Sequence, residues 1–349
     1  MNIAISDLIR EFETSIRRDP AQRGLIGSEP AFGPICPGHL ARAAAHLAEY
    51  GESVAIVTGF YIPGGNPPAA ETDGPPGALV LAQTLSNLGI EGRVLTDSYC
   101  FSAVNAAAVS SGFPTERLIR YPHSTATDAN AAATARWRTE FWREGPGKNL
   151  SHLIAIERVG PSHTAESISR QTRQGAVPIE RFADKVPTEH RDCCHNMRGE
   201  NIDRFAGDVH RLFEECGEIL PHIKTIGIGD GANEIGMGAA AWEDLEQRLP
   251  GEQSGRVPCR IATDWNIIAG TSNWGGYALA AAVALLRGNV QALARFDAAH
   301  QEHVLQDMVE HGPAVDGVTR RSEPTVDGLP FLTYIQPWEA IRSKLALCE

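Results

Sequence analysis

Acidic residues beside glycine and proline are the first feature of this chain that suggests chemistry. The stretch GFYIPGGNPPAAETDGPPGA carries Glu71 and Asp73, and GIGDGANEIGMG carries Asp230 and Glu234. Carboxylates on stiff or tightly turned backbone offer oxygen ligands to a hard divalent cation, magnesium or manganese. These four are the expected metal set. In the second turn Gly229, Gly231, Gly236 and Gly238 let backbone come close to a ligand. A helix starting there would put Asp230 and Glu234 on one side, one helical turn apart. A capped tight turn accounts for Asp230 or Asn233, but not for the glycine set together with Glu234. Asp73 has a plainer reading as the N-cap of the helix that follows it, and the two roles are compatible.

Other polar groups stand where strands and turns end. Glu157 follows the apolar run HLIAI, and Asp97 closes GRVLTD. Arg198 in NMRGEN, with Asn196 two residues before it, brings a planar guanidinium that matches a carboxylate. Thr271, Ser272 and Asn273 in GTSNWGG open a helix, where side chains and free N–H groups hold a carboxylate. The plain alternatives are an ion pair between Glu157 and Arg158, a structural salt bridge for Arg198, and ordinary caps for residues 271–273. Cys193, Cys194 and His195 are adjacent. Neighbouring cysteines do not share one zinc in the usual spacing, so a structural role is expected for them.

An alternation of elements must position these residues. Ile5, Leu8, Ile9, Phe12 and Ile16 share one face of an N-terminal helix. SVAIVTGF reads as a buried strand, followed by a Pro/Gly-rich loop from Tyr61 to Gly77. ALVLAQTLSNLG is then a helix with Pro75 or Pro76 in its first turn. GRVLTD is a strand, Ser98 to Ser111 a helix, RLIRYP a strand, Thr125 to Arg143 a helix and HLIAIERVG a strand. Asn201 to Gly217 reads as a helix. KTIGIG is a strand before the glycine turn and a helix start, and ATDWNII an extended run before an Ala-rich buried helix. Asp316–Gly317 and Asp327–Gly328 mark turns, and a last helix lies near Pro337 to Leu347. Short strand–helix units imply an α/β fold with a mainly parallel sheet and helices on both faces. Ligands bind such sheets beyond the carboxyl ends of the strands. The expected organisation is a helical segment over 1–50 and an α/β domain over 51–349, with a sub-lobe boundary near 161–195.

Composition narrows the partners. The 349 residues are 42% hydrophobic and 21% charged, enough to bury a large core. Thirty-one basic against 43 acidic residues give a net charge of −12. An acidic surface repels phosphates and anionic lipid, which argues against nucleic acid and membrane as partners. No apolar run approaches the ~20 residues of a membrane span, and MNIAISDLIREFE lacks a signal-peptide pattern. Seven scattered cysteines, Cys348 among them, form no C-x-x-C pair and fit a reducing compartment. Cytoplasm is the expected location, with an organellar matrix compatible, and so is a homo-oligomer.

Taken in order, ETDGPPGA, IERVGPS, NMRGENID, GIGDGANEIGMG and GTSNWGGYAL, with VDG near the C-terminus, resemble the D-glutamate cyclase family, in particular its C-terminal, catalytic-type domain. The resemblance spans about residues 51 to 330. It implies a hydro-lyase that dehydrates D-glutamate to 5-oxo-D-proline, with a small acidic amino acid as partner. A scheme consistent with it uses Glu157 or Asp97 as the base that frees the substrate amine. A divalent cation on Glu71, Asp73, Asp230 and Glu234 would offset the charge of the γ-carboxylate. Arg198, Asn196, Asn233 and the 271–273 turn would bind the substrate. Two other classes compete. The glycine turn also resembles the G-D-G-x-N-D turn of haloacid-dehalogenase-type phosphatases, which would make the chain a metal-dependent phosphohydrolase; there Tyr99 stands where a second Asp is needed after Asp97. A non-catalytic binding module for an acidic amino acid is the other.

Overall fold

A computed structural model describes residues 3–122, 128–173 and 175–347. Six strands form its central sheet: β1 Ser53–Thr58, β2 Glu91–Asp97, β3 Leu118–Tyr121, β4 His152–Ile156, β5 Lys224–Gly229 and β6 Trp265–Ile268. Their spatial order is β3-β2-β1-β4-β5-β6, and every neighbouring pair is parallel. The order reverses direction between β1 and β4. In a doubly wound sheet that switch point leaves a crevice at the carboxyl ends of the strands, where ligands bind.

Side-chain alternation explains why both faces are covered. Val54 and Ile56 of β1, with Ile154 and Ile156 of β4, join one hydrophobic cluster. Ala55 and Val57, with Leu153 and Ala155, join another on the opposite face. Strands apolar on both sides must be sandwiched between helices. The first cluster draws on the N-terminal helix Ile3–Ile16 and on helices His39–Tyr50, Pro75–Asn87 and Ser272–Leu286. The face Ile9, Phe12 and Ile16 of the N-terminal helix is buried in it, as the sequence spacing predicts. The second cluster is covered by the Asp128–Arg143 and Arg211–Ile219 helices. Residues 125–127 of the predicted Thr125–Arg143 helix lie outside the described residues, as does Cys348. Among the described residues no helix is long and apolar enough to cross a membrane.

Two helix expectations are corrected. The Asn201–Gly217 stretch is not one helix: Asp203–Ala206 ends at Gly207, whose φ of 57° leaves the helical region, and Arg211–Ile219 starts anew. No helix begins in the glycine turn after β5. Residues 230–241 run as bends and isolated bridges, and the next helix is Trp242–Glu246. Gly227 and Gly236 explain why. Their backbones approach so closely that a Cβ on Gly236 would lie 2.9 Å from the Gly227 Cα, so the chain doubles back across β5.

Two small sheets finish the frame. Tyr61–Ile62, Ala69–Glu71 and Ala314–Val315 pair beside the crevice. Thr325–Val326 and Leu329–Pro330 form a hairpin whose two-residue loop is Asp327–Gly328. Both loop residues have positive φ, 54° and 75°, the geometry that makes D-G a hairpin signal.

Candidate active site

Beyond the switch point the chain encloses a cavity of about 260 Å³, walled in part by Arg23, Glu71, Glu157, Glu234, Arg198 and Arg320. Glu157 leaves the end of β4 with a φ of 48°, a left-handed conformation uncommon outside glycine. The turn aims its side chain back over the sheet edge. The loop carrying Glu71 and Asp73 passes directly beside it. There a Cβ on Gly74 would lie 2.7 Å from both the Glu157 Cβ and the Thr58 Oγ1, and Gly74 has a φ of 98°. Glycine is required at that crossing on both counts.

The acids converge around these two elements. Asp73, Glu157 and Asp230 place carboxylate oxygens within 4.8 Å of one another. Asp73 does not cap its own following helix, whose N-cap is Gly74. Its carboxylate instead accepts the Ser272 N–H at 2.7 Å and the Asn273 N–H at 2.9 Å, at the start of the Ser272–Leu286 helix. Thr271, Ser272 and Asn273 are therefore engaged inside the protein. The Thr271 hydroxyl caps its own helix by accepting from the Trp274 N–H, and the Ser272 hydroxyl donates to Glu157. The Asn273 side-chain oxygen accepts from the Gly74 and Gly77 N–H groups.

Glu71 and Glu234 lie on the cavity wall, outside that converging trio. Glu234 folds back so that both its oxygens accept from the Gly231 N–H at 3.1 Å, without the helical spacing from Asp230 that the sequence suggests. Glu71 has one side-chain oxygen buried without a partner, and burial followed by the nearby Glu157 charge pushes its carboxyl well above the ordinary value. Asn233 donates to the His195 carbonyl at 2.9 Å, while its own side-chain oxygen is buried without a partner. The Asn196 side-chain oxygen accepts from the Arg198 and Glu200 N–H groups, which folds the NMRGEN turn against the cavity.

Asp97 stands apart. It forms a buried ion pair with Arg158 and accepts the Tyr99 and Cys100 N–H groups at 2.7 and 3.0 Å. Arg158 thus pairs with Asp97 and not with its neighbour Glu157. Burial pushes the Cys193 thiol up to about 11 and the Cys194 thiol well above the ordinary value.

Sequence reasoning missed Arg23 and Asp327 beside the acids, and Arg320 on the cavity wall. Arg23 reaches in from the N-terminal segment, bonds Asp230, and clasps Asp327 through both Nη atoms at 3.0 and 2.6 Å. Nothing in AQRGLIG marks it. Asp327 was legible only as half of a D-G turn, yet the hairpin turns its side chain onto Arg23. The pair leaves the site strongly unbalanced. Glu71, Asp73, Glu157, Asp230, Glu234 and Asp327 are all buried around this one enclosed guanidinium. Burial and the neighbouring acids push Glu71, Asp73, Asp230 and Glu234 well above ordinary carboxyl values, against the pull of Arg23 on Asp230 and Glu234. Burial raises Glu157 as well, but Arg23 and the Ser272 hydroxyl pull it back.

Comparison with known proteins agrees with the sequence motifs. A family model described as D-glutamate cyclase-like, C-terminal, matches residues 12–174 and 166–341. The human protein named D-glutamate cyclase, mitochondrial, is 30% identical over 293 residues, which cover 82% of this chain and 40% of the human protein. The chain therefore spans about two fifths of the length of the relative it matches.

Proposed function

The chain belongs to the D-glutamate cyclase family, and on that premise we propose that it is a hydro-lyase converting D-glutamate to 5-oxo-D-proline and water. One observation carries the reading: Glu71 and Glu157 line the same small cavity, Glu71 with a buried oxygen that has no partner and Glu157 held by the Ser272 hydroxyl. Burial and neighbouring acids push Glu71 well up, while Arg23 and the Ser272 hydroxyl pull Glu157 back; carboxyls whose surroundings push them apart are a ready acid and base. Ring closure forms a bond from the α-nitrogen to the γ-carbon and breaks a C–O bond. Two protons must leave the ammonium and two must reach the departing oxygen. Glu157 takes protons from nitrogen, and Glu71 supplies them to the oxygen. The protons that Glu157 gains are passed back to Glu71 on the same cavity wall, so the pair returns to its starting state after each turnover. The acid-lined wall also favours a protonated over an ionised γ-carboxyl, which makes that carbon a better electrophile. Because the reaction is intramolecular, a cavity that holds the substrate folded contributes much of the rate.

A divalent cation fits the same site. The Asp230 Oδ1 is buried without a partner, and the six buried acids outnumber Arg23, the cation that bonds Asp230 and Asp327. Asp73, Glu157 and Asp230 are the residues that would hold it. Bound there, magnesium or manganese would neutralise charge on the reacting carboxylate. A phosphohydrolase reading has less support, since the Asp97 it needs as a nucleophile is committed to Arg158.

The test is incubation of the purified protein with D-glutamate and detection of 5-oxoproline by NMR, with Glu157→Gln as the control. Folded protein that forms no 5-oxoproline, with or without added metal, would sink the reading.

A further inference from the structure

Besides the acids, the cavity is lined by two arginines, Arg198 and Arg320, with little to neutralise them. Among the described residues Arg198 makes no ion pair, and its side chain donates to the Val318 carbonyl at 3.5 Å. Arg320 has one acid near it, the exposed Glu200, at 3.6 Å, and its Nε is enclosed without a partner. The two guanidiniums also act on each other. Burial first, and then the Arg320 charge, hold Arg198 below the ordinary arginine value. Two like charges that share one exposed acid, Glu200, form a site that favours a further anion.

Arg320 is held in place by its backbone. Its φ is 61°; its N–H donates to the Asp316 carbonyl at 2.8 Å, and its own carbonyl accepts the Asn66 N–H at 2.9 Å. Its guanidinium lies over Gly64, where a Cβ would come within 2.7 Å of Nη1. Any side chain at position 64 therefore displaces the guanidinium.

We propose that Arg198 and Arg320 form a carboxylate subsite that takes the α-carboxylate of the amino-acid substrate, and that Arg320 fixes the direction in which the substrate enters. The assignment to the α-carboxylate rests on the cyclase reading. In that reaction the α-carboxylate keeps its charge throughout, while the γ-carboxyl loses its own. The group that stays charged belongs beside the two arginines, and the reacting amine and γ-carboxyl belong beside the acids. A phosphate dianion is disfavoured because Glu71, Glu157 and Glu234 line the same cavity.

Isothermal titration with non-reacting ligands tests this without turnover. Glutarate, a diacid that lacks the amine, should bind wild type and lose at least tenfold in affinity in Arg320→Gln. Gly64→Ala should lose affinity similarly, and Arg320→Lys should recover part of it. 4-Aminobutyrate, which lacks the α-carboxylate, should bind wild type and Arg320→Gln equally. With D-glutamate as substrate, Arg320→Gln should raise KM about tenfold and leave kcat within about twofold. Equal glutarate affinity in wild type and Arg320→Gln would overturn the subsite, as would no glutarate binding at all or an equal loss for 4-aminobutyrate. Tighter binding of inorganic phosphate than of glutarate would overturn it too. If wild type binds glutarate through Arg320 but forms no 5-oxoproline, the cyclase reading fails and the carboxylate subsite stands.

Discussion

Asp73 accepts the backbone N–H of Ser272 at 2.7 Å, across 199 residues of chain. The contact joins the loop after the first strand to the helix after the last one. It depends on how closely two helices pack. A Cβ on Gly276 would lie 2.9 Å from the Gly77 backbone, so the Pro75–Asn87 and Ser272–Leu286 helices touch main chain to main chain. Gly276→Ala should push them apart, cost about 1–3 kcal/mol in stability, and lower activity by loosening Asp73. Urea unfolding with a paired activity assay checks this. An alanine variant with unchanged stability and rate would show that the close contact does not matter.

The two candidate bases separate cleanly. Asp97→Asn breaks a buried ion pair with Arg158 and should cost about 3–5 kcal/mol in stability, with the folded fraction keeping its rate. Glu157→Gln should lower kcat by about 10²–10⁴-fold with little loss of stability. Denaturant titration and steady-state kinetics on both variants decide it, and the reverse pattern would restore Asp97 as the base.

The acid cluster makes stability depend on pH in a defined direction. Unfolded carboxyls ionise near pH ~4, whereas Glu71, Asp73, Asp230 and Glu234 are held well above that in the folded chain. Between those limits the folded state binds more protons, so stability falls as pH rises through the raised values. His152, His163 and His210, each lowered to about 3 by burial, act oppositely: their contribution is lost as pH falls from ~6.5 toward 3. Between pH ~6.5 and the start of thiol ionisation near ~8 the slope therefore reports the raised carboxyls. Tm should decline with rising pH there, and decline less in Glu71→Gln. Parallel slopes for the two proteins would contradict the assignment.

Much of the frame was legible because it rests on local patterns. β-Branched runs ending in glycine mark strands, and the D-G pair at Asp327 marks a hairpin. The individual acids at strand ends were visible for the same reason. What the sequence hid was partnership. Asp73 looks like a cap for the helix beside it but caps one 199 residues away, because helix packing decides which N-terminus lies closest. Glu157 sits next to Arg158 in sequence, yet successive side chains leave an extended segment on opposite sides, and Arg158 turns to Asp97. Arg23 and Arg320 carry no local signal, since their roles come from what lies across the cavity.

A cation at the acid cluster should stabilise the fold by mass action. Millimolar magnesium or manganese should raise Tm by several degrees if its concentration is ~100-fold above Kd, which corresponds to about 2.7 kcal/mol. Asp230→Asn should abolish most of the increase. Differential scanning fluorimetry with and without metal reads it directly. Equal stabilisation of the variant would place the cation elsewhere.

The Ser272 hydroxyl holds Glu157 at 2.5 Å and helps keep it ionised. Ser272→Ala should shift the acidic limb of the kcat/KM profile to higher pH and lower the rate by on the order of tenfold. An unmoved limb would remove Ser272 from the proton path.

The acid and base pair of Glu71 and Glu157 is the centre of the account, and product formation tests it most directly. Wild-type protein incubated with D-glutamate is predicted to release 5-oxo-D-proline in a time-dependent manner, with Glu157→Gln and Glu71→Gln both folded and both slowed at least a hundredfold. Product from the Glu71→Gln, Glu157→Gln double variant at the wild-type rate would contradict it, as would no product from folded wild type.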